Sequence, residues 1–179
     1  MSPMVRRPPG MEMALLGYLR QGPVHGYQLH QLVNDPDGLG PIWNLKQSQL
    51  YALLAKLEQD GYIRAEVEAQ EPTRPPRKVF QLTAVGKSAY EHWLQNPVRS
   101  HYRIRQEFLA KLYFARREGA WPTRVLVNAQ RAVCQQWLDS LSAEAIEPQS
   151  FGWALRQYRV GQIKADLDWL ERQINEMSL

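Results

Sequence analysis

The chain has 179 residues, of which 44% are hydrophobic and 22% charged, values ordinary for soluble globular chains that exclude a disordered or fibrous polypeptide. Its net charge of +4 is evenly divided, with 11 basic and 9 acidic residues in 1–100 and 11 and 9 in 101–179, so bulk charge does not name an acidic partner. The single cysteine, Cys134, excludes an intrachain disulfide and a multi-cysteine zinc site, and reads as a small buried helix residue.

Residues 1–10 hold three prolines and two arginines without periodicity, which predicts a flexible basic arm. Met11 to Gln21 reads as a short apolar helix stopped by Gly22-Pro23. Its apolar stretch, Met13 to Leu19, is too short for a membrane span or a secretory signal, so a cytoplasmic location is expected. His25 to Val33 places Leu29, Leu32 and Val33 at helical spacing, and Asn34 to Pro41 is turn-rich. In Asn44 to Asp60, Leu50, Leu53, Leu54 and Leu57 fall at i, i+3, i+4 and i+7, the stripe of a half-buried helix. Asn44 with Gln47 reads as its capping box and Gly61 as its C′ residue.

Ile63, Ala65 and Val67 alternate with charged residues, the pattern of a half-buried strand. Residues 70–77 cannot continue it because three prolines remove ladder donors, and Lys78 to Leu82 reads as the returning strand. Thr83 is placed to cap a helix to about Gln95, with Tyr90, Trp93 and Leu94 buried. Asn96-Pro97 marks a boundary. Beyond it, Arg105 to Arg117, about Pro122 to Leu141 and Phe151 to Met177 are amphipathic helices.

Two helices, a capped amphipathic helix and a ribbon with a proline- and arginine-bearing tip follow one another in the order of a winged helix-turn-helix. The expected fold class is therefore mainly α with a small two-stranded antiparallel β-wing. Residues 11–96 would form the DNA-binding domain and 97–179 a helical dimerisation domain. Opposite the leucines the third helix carries Ser48, Ala52, Ala55 and Gln59, small or polar side chains that permit close approach to a major groove. Ser48 and Gln49 are candidates for base edges, Tyr51 and Lys56 for phosphates, and Lys46, Gln47 and Ala52 complete the face near the helix N-terminus. Arg74, Arg77 and Lys78, with no acidic residue in 72–78, suit phosphate contact at the ribbon tip.

These residues resemble the PadR-type transcriptional regulators. The likeness is carried by Gly26-Tyr27-Gln28-Leu29, by Leu50-Tyr51 with Leu53-Leu54 and Leu57 to Ile63, and by Phe80-Gln81-Leu82-Thr83 with Gly86. It covers about residues 13–90 and implies a dimeric DNA-binding protein, usually a repressor and sometimes an activator, with a helical C-terminal dimerisation region. The three-helix tail looks like the larger subfamily. Three departures stand out: a long connection over Asn34 to Trp43, Phe80 in place of the usual tyrosine, and Ser48-Gln49 where a Gly-Thr pair is common. The MarR type shares the topology, with its ribbon and flanking helices arranged differently.

An enzyme finds no phosphate-cradling loop, nucleophile elbow or His-Glu-x-x-His, and the four histidines make no i, i+4 pair. No catalytic residue, metal or cofactor is expected. The rival reading is a protein-interaction adaptor that works through the C-terminal helices; it leaves the polar strip and the basic tip without a role. Trp153, Val160, Ile163, Leu167, Leu170, Ile174 and Met177 form a heptad-like stripe expected to pair two subunits. Five of six tryptophans, Trp93, Trp121, Trp137, Trp153 and Trp169, lie in the later part of the chain, a bias that suggests an aromatic small-molecule effector as well as plain core. The expected partners are thus an operator duplex, a second copy of the chain and that effector, and no membrane.

Overall fold

A computed structural model describes residues 10–68, 77–143 and 147–176. A 3-10 turn over Met11–Met13 leads into α1 (Ala14–Leu19), followed by β1 (Val24–His25), α2 (Gly26–Val33) and α3 (Gln47–Gln59). The ribbon strands β2 (Ile63–Glu68) and β3 (Arg77–Leu82) come next, then α4 (Ala84–Gln95). A 3-10 turn over His101–Arg103 and a π-helical turn over Ile104–Phe108 introduce α5 (Leu109–Glu118), and α6 (Ala120–Ala143) and α7 (Phe151–Glu176) complete the chain.

The leucine stripe does what its spacing demands. Leu50, Leu54 and Leu57 are buried in one core with Leu15, Leu16 and Leu19 of α1 and Leu29 and Val33 of α2, while Leu53 sits half-buried at its edge. The helix begins later than expected, at Gln47, with Lys46 and not Asn44 as its N-cap: the Gln49 side chain reaches back and its Oε1 accepts the Lys46 N–H at 2.9 Å, one half of a capping box whose other half a lysine side chain cannot supply. Gly61 takes the left-handed conformation (φ 76°) that ends the helix.

The sheet has three strands, one more than expected, in the order β1-β3-β2. β1 is only two residues long and pairs antiparallel with β3 through Val24↔Phe80 and His25↔Val79. β2 and β3 pair from Ile63↔Leu82 to Glu68↔Arg77. The expected alternation holds at Ile63 and Ala65 but not at Val67, which is 63% exposed because the ribbon has by then left the body of the protein.

The connection from α2 to α3 is long but clamped. The Asn34 side chain accepts from the Leu45 N–H at 2.8 Å and donates to the carbonyls of Leu45 and His30, both at 3.0 Å. His30 Nε2 donates to the same Leu45 carbonyl at 2.8 Å, and Leu39 is fully buried beneath the loop. Thr83 caps α4 as expected, accepting from the Gly86 N–H at 3.0 Å, and Tyr90, Trp93 and Leu94 are buried.

α6 and α7 lie antiparallel, with Arg131 opposite Glu171 and Arg156 opposite Ser142. Ile163 and Leu170 of α7 are 3% and 1% exposed, inside the core of this chain. Val160, Leu167 and Ile174 are half-buried, Trp153 is exposed, and Met177 lies outside the described residues. Among the described residues the expected pairing stripe therefore divides: Ile163 and Leu170 serve internal packing, Leu167 and Ile174 pack on the edge of the same core, and Trp153 and Val160 border the surface.

Cys134 is fully buried on α6, and burial pushes its thiol up to about 11. It should resist a maleimide at pH 8 in the native protein and react fully in denaturant. Native labelling at the rate of a free thiol would contradict this packing.

Candidate nucleic-acid interface

The first turns of α3 present Lys46, Gln47, Ser48 and Gln49 to solvent, and Ala52, Ala55 and Gln59 continue the exposed face. At Ser48, Ala52 and Ala55 the face is floored by small side chains, and polar ones border it. Gln49 is only half available, since its carbonyl oxygen closes the cap on Lys46. Its amide N–H groups are the part that a base edge can meet.

Tyr51 stands on one flank. Its ring and hydroxyl cross directly over Gly26, where an added Cβ would collide with them, and Phe80 lies 6.4 Å away between ring centres. Two of the sequence motifs thus touch: the glycine opening α2 is there because the tyrosine of α3 passes over it. The third motif locks onto the other end of α3. The Thr83 hydroxyl lies 2.7 Å from the Gly61 carbonyl and 3.0 Å from that of Tyr62, and Gly86 packs so closely on the Tyr62 carbonyl that no side chain fits.

On the opposite flank Lys56 is already engaged, its Nζ lying 2.8 Å from Glu12 Oε1. Burial alone would push the Glu12 carboxyl up, but the hydrogen bond and charge of Lys56 outweigh it and hold it below its ordinary value. Lys56 is therefore a tie between α3 and the N-terminal turn before it is a phosphate contact. Lys78 is exposed on β3, whereas Arg74 lies outside the described residues and Arg77 is described only as the first residue of β3. At the stem of the ribbon, Arg64 is held by Gln81 at 2.6 Å and by Glu66 at 3.3 Å.

Sequence reasoning missed the exposed side of α2. Tyr27 is 63% exposed beside Gln28, and Gln31 donates to its hydroxyl at 3.2 Å. Because Gly26 lies under Tyr51, these side chains adjoin the α3 face. The signal was present in the polar i, i+4 pair Tyr27 and Gln31.

The tryptophans do not share one environment. Trp93 is buried, Trp137 and Trp169 are half-buried, and Trp121 and Trp153 are exposed. Trp137 lines an open cleft of about 330 Å³ with Tyr102, Leu141, Tyr158 and Arg159, between the turn at 100–103, α6 and α7. At its edge His101 Nε2 is 3.2 Å from Asp166 Oδ2. Burial raises the Asp166 carboxyl, against the pull of His101. Among the described residues no group of three side chains is placed to hold a metal ion, and no helix is long and apolar enough to cross a membrane.

Residues 15–92 match the model of the family described as "Transcriptional regulator PadR-like family". The negative transcriptional regulator PadR of Bacillus subtilis (strain 168) is 33% identical over 104 residues, 58% of this chain and 56% of that protein. That match thus spans little more than half of the relative's length. A probable transcriptional regulator of Mycobacterium tuberculosis is 26% identical over 179 residues, with 88% of this chain and 92% of that protein covered. Among solved structures, Bacillus subtilis PadR in complex with operator DNA is 26% identical, with 93% of this chain and 98% of that chain covered and a TM-score of 0.47.

Proposed function

We propose that the chain, whose residues 15–92 match the PadR-like family of transcriptional regulators, is a sequence-specific DNA-binding repressor that acts as a homodimer on a pseudo-palindromic operator. The observation that carries this reading is the exposed strip of Ser48, Ala52 and Ala55 on α3, narrow enough to enter a major groove and bordered by Tyr51 and the N-terminus of α2. Gln47, Ser48 and the Gln49 amide read base edges. Lys46, Tyr51, Tyr27 and the tip residues Arg74, Arg77 and Lys78 position the phosphates. Repression accords with the name of the Bacillus subtilis relative. A regulator of this class works in the cytoplasm and needs no cofactor or catalytic group.

Two heads, residues 11–96, are joined by the helices of 97–179. The contact uses the part of the α7 stripe left at the surface, Trp153 with the half-buried Val160, Leu167 and Ile174, beside the exposed Phe151 and Tyr158. The cleft at Trp137 has the aromatic walls of Tyr102, Trp137 and Tyr158 that suit a planar aromatic effector, and occupancy there weakens operator binding by linkage.

Selection of bound duplexes from a random pool tests the reading. Inverted repeats with half-site centres about 34 Å or a multiple apart should be enriched. Arg74→Ala, Arg77→Ala and Lys78→Ala should each weaken all duplexes nearly uniformly and lower the salt dependence by about one counterion. No enrichment from the pool would end the proposal, and an unchanged salt dependence in the triple variant would remove the ribbon from the interface.

A further inference from the structure

A cluster of charges lies buried where the head meets the C-terminal helices. Glu107, in the π-helical turn, is 4% exposed and Lys111, one turn on, is 3% exposed. Glu107 Oε1 accepts the indole N–H of Trp93 at 3.1 Å and lies 3.3 Å from Lys111 Nζ. Glu107 Oε2 lies 2.5 Å from Arg103 Nε. Lys111 also donates to the Asn96 carbonyl at 2.7 Å, where α4 has just ended, and its ammonium stands 5.2 Å from the centre of the Trp93 ring. The Arg103 guanidinium reaches the open side of Gly10, beside the Glu12 carboxylate that holds Lys56 of α3. One carboxylate on the C-terminal side is thereby connected to the end of α4 and, through Arg103, to the turn that anchors the reading helix.

Stability alone does not account for such a cluster. Buried ion pairs are commonly matched or exceeded by apolar residues of the same volume, and their best-attested use is to fix one arrangement among several. Apolar contacts tolerate repacking, whereas two directed, charge-assisted hydrogen bonds, from the Trp93 indole to Glu107 and from Lys111 to the Asn96 carbonyl, fix the angle between α4 and the segment 103–111. The i, i+4 pairs of Glu107 with Arg103 and Lys111 hold the carboxylate and the ammonium in place for them. In a dimer joined by its C-terminal helices, that angle sets the distance between the two α3 helices. The rise per base pair is only about 3.4 Å, so a small rotation of the head shifts the favoured half-site spacing by one step.

We propose that Glu107, with Trp93, Arg103 and Lys111, is a positioning cluster that determines which operator spacing the dimer accepts. The inference rests on the reading of the chain as a dimeric DNA-binding protein and goes beyond it by assigning spacing discrimination to residues that touch no DNA. The cleft lies on the same short segment, since His101 and Tyr102 line it and Arg103 follows them.

The test uses the full-length protein, a single half-site duplex, and the selected inverted repeat with its spacer lengthened or shortened by one base pair. Wild type should prefer the selected spacer by about tenfold, the size of coupling seen between groups in one network. Trp93→Phe, which removes the indole N–H, and the apolar triple variant Arg103→Met/Glu107→Leu/Lys111→Met should bind the three spacers within about threefold of one another, with half-site affinity within about twofold of wild type. Half-site affinity is the readout that a purely structural role would move and a positioning role would not. Wild-type spacer preference in Trp93→Phe, or a parallel fall of half-site and full-site affinity, would overturn the assignment. Wild type that binds the half-site and every spacer equally would overturn the dimeric reading beneath it, and with it the inference.

Discussion

Ala52→Glu should abolish operator binding while leaving the fold intact. Ala52 is exposed at the centre of the strip formed with Ser48 and Ala55, where the proposed docking brings the α3 backbone nearest to the bases. Glutamate there adds a long side chain where clearance is smallest and a negative charge facing phosphates, a juxtaposition that costs several kcal/mol. Affinity should fall by about 100-fold or more, close to 2.8 kcal/mol. The helix itself should scarcely notice, since the propensity difference at an exposed position is a few tenths of a kcal/mol. Fluorescence anisotropy on the operator and a thermal melt read the two effects separately. Wild-type binding by this variant would remove the strip from the interface.

Leu170→Asp should unfold the C-terminal helices, and Trp153→Asp should only loosen the assembly. Leu170 is 1% exposed in the chain's own core, so an aspartate there leaves a carboxylate without a partner in apolar surroundings. A loss of about 3 kcal/mol or more is expected. Trp153 is exposed near the start of α7, so a charge at that position costs the isolated chain little. Sedimentation and melting of both variants separate the cases. Leu170→Asp that melts as wild type yet sediments as a monomer would return Leu170 to the contact between subunits.

What could be read in advance was the structure that repeats or has a local chemical signature. The leucines of α3, the Thr83 cap and the buried Tyr90, Trp93 and Leu94 each follow from spacing or capping within one turn or two. β1 was invisible because two residues between Gly22-Pro23 and Gly26 cannot show a period, and only the pairing with Phe80 and Val79 makes them a strand. Glu12 and Lys56 are 44 positions apart, and nothing local in either segment announces the bond that takes Lys56 from the groove-facing set. Glu107 and Lys111 stand four apart with opposite charge, and charge patterning is blind to which face of a helix the rest of the chain will cover. The α7 stripe was legible as apolar, but whether an apolar residue meets its own chain or another is decided by tertiary packing.

The Phe114 ring of α5 lies on Gly17 of α1 and meets Tyr18 and Tyr90 edge-on, at 5.2 Å and 6.0 Å between ring centres. Arg20, which follows the last residue of α1, pairs with Glu118 in the same region. The first helix of the head is therefore finished by a residue made nearly one hundred positions later. During synthesis the DNA-reading unit stays open along α1 until α5 has left the ribosome, at the modest pace of about 5–20 residues per second. A chain cut after residue 96 would carry every residue of α3 and the ribbon and still lack the Phe114 ring over Gly17, Tyr18 and Tyr90, so the packing around α1 closes only once α5 has been made.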